Sequence, residues 1–241
     1  MKRFNWQNIR LVLIVFLMLF LYSFSLKKNS KRLINAVNIS FTAGQDNLFI
    51  THEIVNNLLI QKQKDPIKIK KEDLNLKSLE KLLVSHEMIE SAEVFLTING
   101  SLNAKIKQKT PIVRYVSSNA MYYLDNKGDK MPLSENFSAR VPIIFGDFDM
   151  DNKEKYVTLF NAIAKDDFLK KSITGIEILP SGNIVMTNRD YDFEILFGSP
   201  IHVDQKLKNY KAFYMHAIKD TLINNYKLVN LLFTNQVVCK N

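Results

Sequence analysis

The clearest structural signal for the first folded module is the stretch 92-AEVFLTINGSLNAKIK-107. Apolar residues alternate with other residues before its Asn99-Gly100 pair, and again after it. Such alternation is typical of a half-buried strand, and Asn-Gly is the strongest two-residue hairpin turn because both positions tolerate a positive φ. The stretch therefore predicts a β-hairpin whose apolar side chains face a core, with Lys105 and Lys107 on the solvent face.

The chain ahead of the hairpin predicts one more strand and two helices. Alternation over residues 33–41 predicts a strand with one apolar face, formed by Val37, Ile39 and Phe41. Thr51 is the expected N-cap of a helix, and leucines at helical spacing mark a second helix, at Leu76, Leu79, Leu82 and Leu83. The order strand-helix-helix-strand-strand over residues 33–112 predicts one sheet with both helices on its apolar face.

An apolar segment precedes this module. Residues 11–26 read LVLIVFLMLFLYSFSL and include no charged residue. This length is marginal for a bilayer, which needs roughly 17–25 residues. Ile9 extends the segment, Arg10 can reach the headgroups, and Trp6 suits the membrane interface. The sequence predicts a cytoplasmic tail at 1–10, a transmembrane helix at 11–26 and a basic stalk at 27–32.

Two other interpretations of this segment stay open. A cleaved signal peptide also has a basic start and an apolar core, although the cleavage site would have to be the weak Ser23-Phe24-Ser25. A buried helix of a soluble domain is the other, although such helices usually have a polar face. Charge does not settle the orientation, because basic residues lie on both sides of the segment.

The rest of the chain, residues 113–241, predicts a mostly antiparallel β domain with two packed helices. Pro111 ends the first sheet, because proline lacks a backbone donor. The two helices are indicated by apolar positions at helical spacing. They are Tyr156, Leu159, Phe160 and Ile163 in the first helix, and Val203, Leu207, Tyr210, Tyr214, Ala217 and Ile218 in the second. The predicted fold class is therefore α+β.

Composition and motifs give no sign of catalysis. The glycines are spread out and form no phosphate-binding loop, and neither His52 nor His86 has the second histidine that a zinc helix needs. Cys239 is the chain's one cysteine and suits a structural or incidental thiol. The net charge of +9 is better explained by a membrane surface than by nucleic acid. We expect no catalytic residue, metal or cofactor.

The last strand, residues 227–238, is the predicted partner-binding edge. Val229, Leu231, Phe233 and Val237 share the expected core face, while apolar Leu232 lies on the opposite face. An exposed edge strand is a template for strand addition. The candidate partner-binding residues are Asn230, Leu232, Phe233, Thr234, Gln236 and Val238. Alternatively, another segment covers this face, or Leu232 is a lone surface residue.

Several short motifs together resemble the bacterial cell-division family FtsQ/DivIB. The strand-helix-helix-hairpin module resembles a POTRA domain. Later segments resemble that family's β domain in order, at residues 108–114, 122–128, 131–132, 141–146 and 229–233. Two departures concern the last segment: Leu232 stands where many members carry Arg, and Asn230 stands for Asp. An apolar contact would then replace a charge-assisted one.

This resemblance implies a function and an orientation. It implies a single-pass protein of the inner (plasma) membrane at the division septum, with a cytoplasmic N-terminus and an extracytoplasmic body. It implies a non-enzymatic scaffold that binds FtsB/DivIC-like and FtsL-like proteins, and through them the septal peptidoglycan synthase. The alternative is a POTRA-bearing transport or outer-membrane assembly component that binds peptides by strand addition. An anchored enzyme is a third possibility.

Overall fold

The computed structural model describes residues 6–30, 33–42, 49–61, 71, 74–219 and 223–241. The chain divides into two compact units, Met1–Gln108 and Lys109–Asn241. The sequence placed this boundary at residue 112, whereas Pro111 opens the first strand of the second unit. Residues 1–5 of the predicted tail and 31–32 of the predicted stalk lie outside the described residues.

The first helix, α1 (Trp6–Ser30), is apolar over most of its length. Its Ile9–Lys28 segment has a mean hydropathy of 2.4, and none of it is buried. Within the described ranges it is the one helix that is long and apolar enough to cross a membrane. The helix extends beyond the predicted span of 11–26 at both ends. Trp6 is its first residue, and Arg10 is exposed on its surface.

The strands of the first unit form a sheet in the order β1-β3-β2, among the residues that the structure describes. They are β1 (Ala36–Phe41), β2 (Ile89–Leu96) and β3 (Ser101–Gln108). β1 runs parallel to β3, and β2 and β3 form the predicted antiparallel hairpin. The apolar face is buried at Val94, Leu102, Ala104 and Ile106. Lys105 and Lys107 are exposed, as the alternation predicted.

The turn of this hairpin differs from the predicted one. Gly100 has a φ of +86°, but Asn99 does not have a positive φ. The Gly100 N–H donates to the Thr97 carbonyl at 3.0 Å, and the Thr97 N–H donates to the Ser101 carbonyl at 3.0 Å. A longer loop with a single left-handed glycine therefore replaces the predicted two-residue turn.

Two helices accompany this sheet, α2 (His52–Gln61) and α3 (Leu76–Val84). Thr51 is confirmed as a cap, since its hydroxyl accepts a hydrogen bond from Ile54 N at 3.2 Å. Glu80 of α3 reaches the outer strand β2, where its Oε1 accepts the Val94 N–H at 2.9 Å. A strand edge has unpaired backbone groups, and here a side chain satisfies one of them.

The second unit is built on a sheet with the strand order β12-β11-β10-β9-β8-β7-β4-β5-β6 over the described residues. The strands are β4 (Pro111–Val116), β5 (Met121–Asp125), β6 (Lys130–Met131), β7 (Ile143–Gly146), β8 (Ile173–Ile178), β9 (Ile184–Asn188), β10 (Glu194–Gly198), β11 (Leu228–Asn230) and β12 (Val238–Lys240). Most neighbours are antiparallel, but three pairs are parallel: β4–β7, β7–β8 and β10–β11. The sheet is therefore mixed.

One face of this sheet packs on helices. These are α4 (Glu154–Lys165), α5 (Asp167–Ser172) and α6 (Val203–Lys219), followed by a 3-10 turn at Ile223–Asn225. The two predicted helices are α4 and α6, and α5 was not predicted. A buried row crosses six strands and forms the centre of the core: Ile144, Ile176, Met186, Ile195, Val229 and the half-buried Cys239. Ile218, predicted to be in the core, is 43% exposed.

Candidate protein interaction edge

The predicted last strand is not continuous. It is broken into β11 (Leu228–Asn230) and β12 (Val238–Lys240), joined by residues 231–237, which we call the β11–β12 loop. The Leu231 N–H still donates to the Leu196 carbonyl at 2.9 Å. The Asn230 side-chain oxygen then accepts the Leu232 N–H at 2.8 Å. An Asn that bonds to the backbone two residues on is a turn former, so the chain leaves the sheet here.

This break changes which predicted residues are buried. Val229 and Leu231 are fully buried, as their alternation predicted. Phe233 was predicted to face the core, and this is wrong, because its side chain is 52% exposed. The alternation of faces holds only while the chain remains extended. After the turn at Leu232 the alternation fails at Phe233, whereas Val237 packs against the core as predicted.

The edge of the sheet is formed by β12. β11 lies between β10, to which it is parallel, and β12, to which it is antiparallel. Among the described strands β12 ends the sheet on this side. Of the six candidate residues, Val238 lies in the edge strand and Asn230 in the strand beside it. Leu232, Phe233, Thr234 and Gln236 lie in the loop.

Three apolar side chains are exposed at this edge. Leu232 is 44% exposed and Val238 is 42% exposed, beside the exposed Phe233. The buried part of Leu232 rests on Gly198, where an added Cβ would come within 2.2 Å of Leu232 Cδ2. Gly198 has a φ of +73° at the end of β10. An exposed edge bordered by apolar side chains is suited to binding an extended segment of another protein.

Cys239 faces inward on this edge strand. It lies opposite Val229 and is half-buried against the core. Burial raises the pKa of the Cys239 thiol. The thiol is therefore kept protonated, which agrees with the structural or incidental role expected from the sequence.

Polar residues at a turn and at the start of a helix lie outside this edge. The Asp125 carboxylate accepts the N–H groups of Lys127 and Asp129, both at 2.9 Å, as expected at a turn. His52 is exposed and its ring contacts that of Phe41. No group of three or more metal-ligating side chains occurs within the part of the chain that the structure describes.

Sequence reasoning missed two residues of α6 that hold the backbone beside this edge. Asn209 donates to the Thr234 carbonyl, and Lys206 donates to carbonyls at the end of β10. One signal was present for Lys206. It lies three residues after Val203 and four before Tyr210, on the apolar face of the predicted helix. A lysine on a core face needs buried acceptors.

The fold defines a class of protein: an apolar helix, then a small helix-and-sheet module, then a larger mixed β domain. A family model for a POTRA-like domain matches residues 32–107. A second model, described as FtsQ/DivIB, C-terminal related, matches residues 110–240, more than half of the chain. The chain therefore belongs to the FtsQ/DivIB family, and its role is in cell division. No curated protein matches it.

Membership of this family also indicates where in the cell the protein acts. An apolar N-terminal helix in a member of a division family fits a single-pass membrane protein at the septum. Division proteins of this kind act through protein–protein contacts in the division complex. The edge at β12 is the candidate for such a contact in the second unit.

Proposed function

We propose that the chain is a non-enzymatic scaffold of the division septum. It binds FtsB/DivIC-like and FtsL-like proteins and connects them to septal peptidoglycan synthesis. Its N-terminus is cytoplasmic, α1 is the anchor, and the chain after α1 is extracytoplasmic. Membership of the FtsQ/DivIB family supports the division role, and the exposed apolar helix supports the anchor.

The observation that carries the proposal is the edge at β12. Val238 and Lys240 are exposed at the end of the sheet, and Leu232 and Phe233 are exposed beside it. A partner strand that pairs with β12 gains backbone hydrogen bonds there, and the apolar side chains give it specificity. Candidate residues Asn230, Leu232, Phe233, Thr234, Gln236 and Val238 all belong to β11, β12 or their loop.

Strand addition can occur in two ways, and a disulfide distinguishes them. The partner either pairs with the outer side of β12 or replaces β12 on β11. Val229→Cys places a thiol directly opposite Cys239. Facing residues in antiparallel strands have Cβ atoms close enough for a disulfide when they form the non-hydrogen-bonded kind of pair. The Lys227 carbonyl and the Leu231 N–H both bond to β10, so the backbone groups of Val229, between them, also face β10 and not β12. Val229 and Cys239 are therefore a non-hydrogen-bonded pair, and the oxidised variant fixes β12 on β11.

The test is binding of the FtsB/DivIC-like protein to this variant, with the full chain in lipid nanodiscs. The reduced form of the same variant is the matched control. Addition to the outer edge predicts equal affinity in both forms. Binding that disappears on oxidation and returns on reduction would show replacement of β12. Absence of binding to the unmodified chain would contradict the proposal itself.

A further inference from the structure

The β11–β12 loop is attached to helix α6 by Asn209. The Asn209 Nδ2 atom donates to the Thr234 carbonyl at 2.7 Å. The other end of this amide is also held, since Gln205 Nε2, one turn earlier on α6, donates to Asn209 Oδ1 at 3.2 Å. With its oxygen engaged, the amide directs its N–H toward the loop. The middle of the loop, at Thr234, is therefore fixed to a helix of the core.

The first half of the loop is supported through Lys206. This lysine is 3% exposed, and its Nζ donates to the carbonyls of Phe197 at 2.9 Å and Ser199 at 3.0 Å. It also lies 4.7 Å from the centroid of the Phe197 ring. A buried ammonium with two carbonyl acceptors holds both of them in place. The residue between these acceptors is Gly198.

Gly198 connects Lys206 to the loop. Leu232 occupies the space that a side chain at position 198 would need, because the Leu232 Cδ2 atom lies only 2.2 Å from where a Cβ on Gly198 would be. The positive φ of Gly198 is a conformation that other residues rarely adopt. The surface under Leu232 thus depends on the backbone that Lys206 holds. Together, Lys206 and Asn209 support the loop at two points: Leu232 near its start, through Gly198, and Thr234 at its centre.

We propose that Asn209 and Lys206 are positioning residues that hold the β11–β12 loop in its partner-binding conformation. This rests on the proposed function, because the partner is the one named there. An interface whose loop is already ordered loses less conformational freedom on binding. Neither residue needs to contact the partner for this effect. Helix α6 is thus part of the interaction site although it lies behind the edge.

The first test is Asn209→Ala in the full chain in lipid nanodiscs. Asn161→Ala is the matched control: Asn161 lies on α4, and its Nδ2 donates to the Asn126 carbonyl of another loop at 2.8 Å. We expect faster amide exchange confined to residues 231–237 in Asn209→Ala, measured without partner. We also expect binding of the FtsB/DivIC-like protein to weaken about fivefold, the loss of one hydrogen bond, while Asn161→Ala binds normally.

A second pair of variants tests Lys206. Lys206→Met has a similar length but leaves two carbonyls without a donor, whereas Lys206→Arg keeps the charge and the donors. We expect Lys206→Met to increase exchange at Leu232 and Phe233 and to weaken binding, and Lys206→Arg to restore part of both. If Lys206→Met does not fold, Asn209→Ala still tests whether α6 positions the loop. Asn209 is only half-buried and contributes one hydrogen bond to the loop, so we expect this variant to fold.

Specific outcomes overturn the inference. Unchanged exchange over residues 231–237 in Asn209→Ala would show that the residue does not position the loop. Faster exchange with unchanged affinity would show that the loop lies outside the interface, while binding at β12 could still be observed by protection of its amides. Equal weakening by Asn161→Ala would indicate a general loss of stability. A chain that does not bind the partner at all contradicts the proposed function and this inference together.

Discussion

Leu232→Glu is expected to abolish most partner binding without unfolding the domain. Leu232 is 44% exposed, and full burial of a leucine is worth about 1.5–3 kcal/mol. The exposed part can therefore contribute roughly 1 kcal/mol to a partner that covers it. A carboxylate covered at the same place without a counter-charge costs about 2 kcal/mol more. The sum of about 3 kcal/mol weakens binding by roughly a hundredfold.

The assay is isothermal titration calorimetry of the full chain in nanodiscs with the FtsB/DivIC-like protein. Leu133→Glu is the matched control, since Leu133 is a comparably exposed leucine of the same unit, at 39%. Leu232→Ala should weaken binding about fivefold, because it removes the apolar contact without adding a charge. Because the contact is apolar, its affinity should depend little on salt. Unchanged affinity of a folded Leu232→Glu chain would place the interface elsewhere.

Three further predictions concern the folded units. Glu80→Ala frees a strand N–H at the β2 edge, so it should cause self-association in sedimentation experiments. Glu87→Ala removes the same charge from an exposed site and should stay monodisperse. Burial, and then the Asp190 carboxylate, raise the pKa of Tyr214 to about 12. The neutral Tyr214 side chain therefore contributes its full stabilisation below about pH 10, and this contribution is lost as the pH rises through about 12. In urea unfolding, the free energy of unfolding of Tyr214→Phe should decrease less at alkaline pH than that of the unmodified chain. A fragment of residues 33–108 should unfold in one cooperative thermal transition, and gradual melting would contradict independent units.

The regular elements were predictable because their patterns report burial directly. Val94 and Ala104 alternate with exposed residues over whole strands, and the buried face of α4 follows the helical period. These patterns depend on neighbours in sequence and on one core. The hairpin was therefore predicted correctly, although its turn was not. The number of left-handed residues in a turn depends on the register that the strands adopt. Here the register gives a turn in which Asn99 does not adopt the positive φ that the Asn-Gly pair favours.

The candidate site was predictable only in part, because it depends on contacts between residues distant in sequence. The alternation correctly predicted that Val229 and Leu231 are buried. It failed at Phe233, because the Asn230 side chain stabilises a turn between Leu231 and Phe233. Nothing in the local pattern pairs Asn209 with Thr234. Such a contact arises only after α6 and the β11–β12 loop have come together in the folded unit. The predicted strand over residues 227–238 therefore reached the edge strand only at Val238, and the sequence indicated neither the break after β11 nor the contacts that support the loop.

In the proposed complex, a partner strand pairs with the outer side of β12. The most direct measurement is amide hydrogen exchange at Val238, Cys239 and Lys240, with and without a saturating FtsB/DivIC-like protein. We expect exchange of the outward-facing amide or amides of β12 to become slower when the partner is bound, because they then donate to a strand instead of to water. Unchanged exchange over all of β12 while the partner is bound would contradict it.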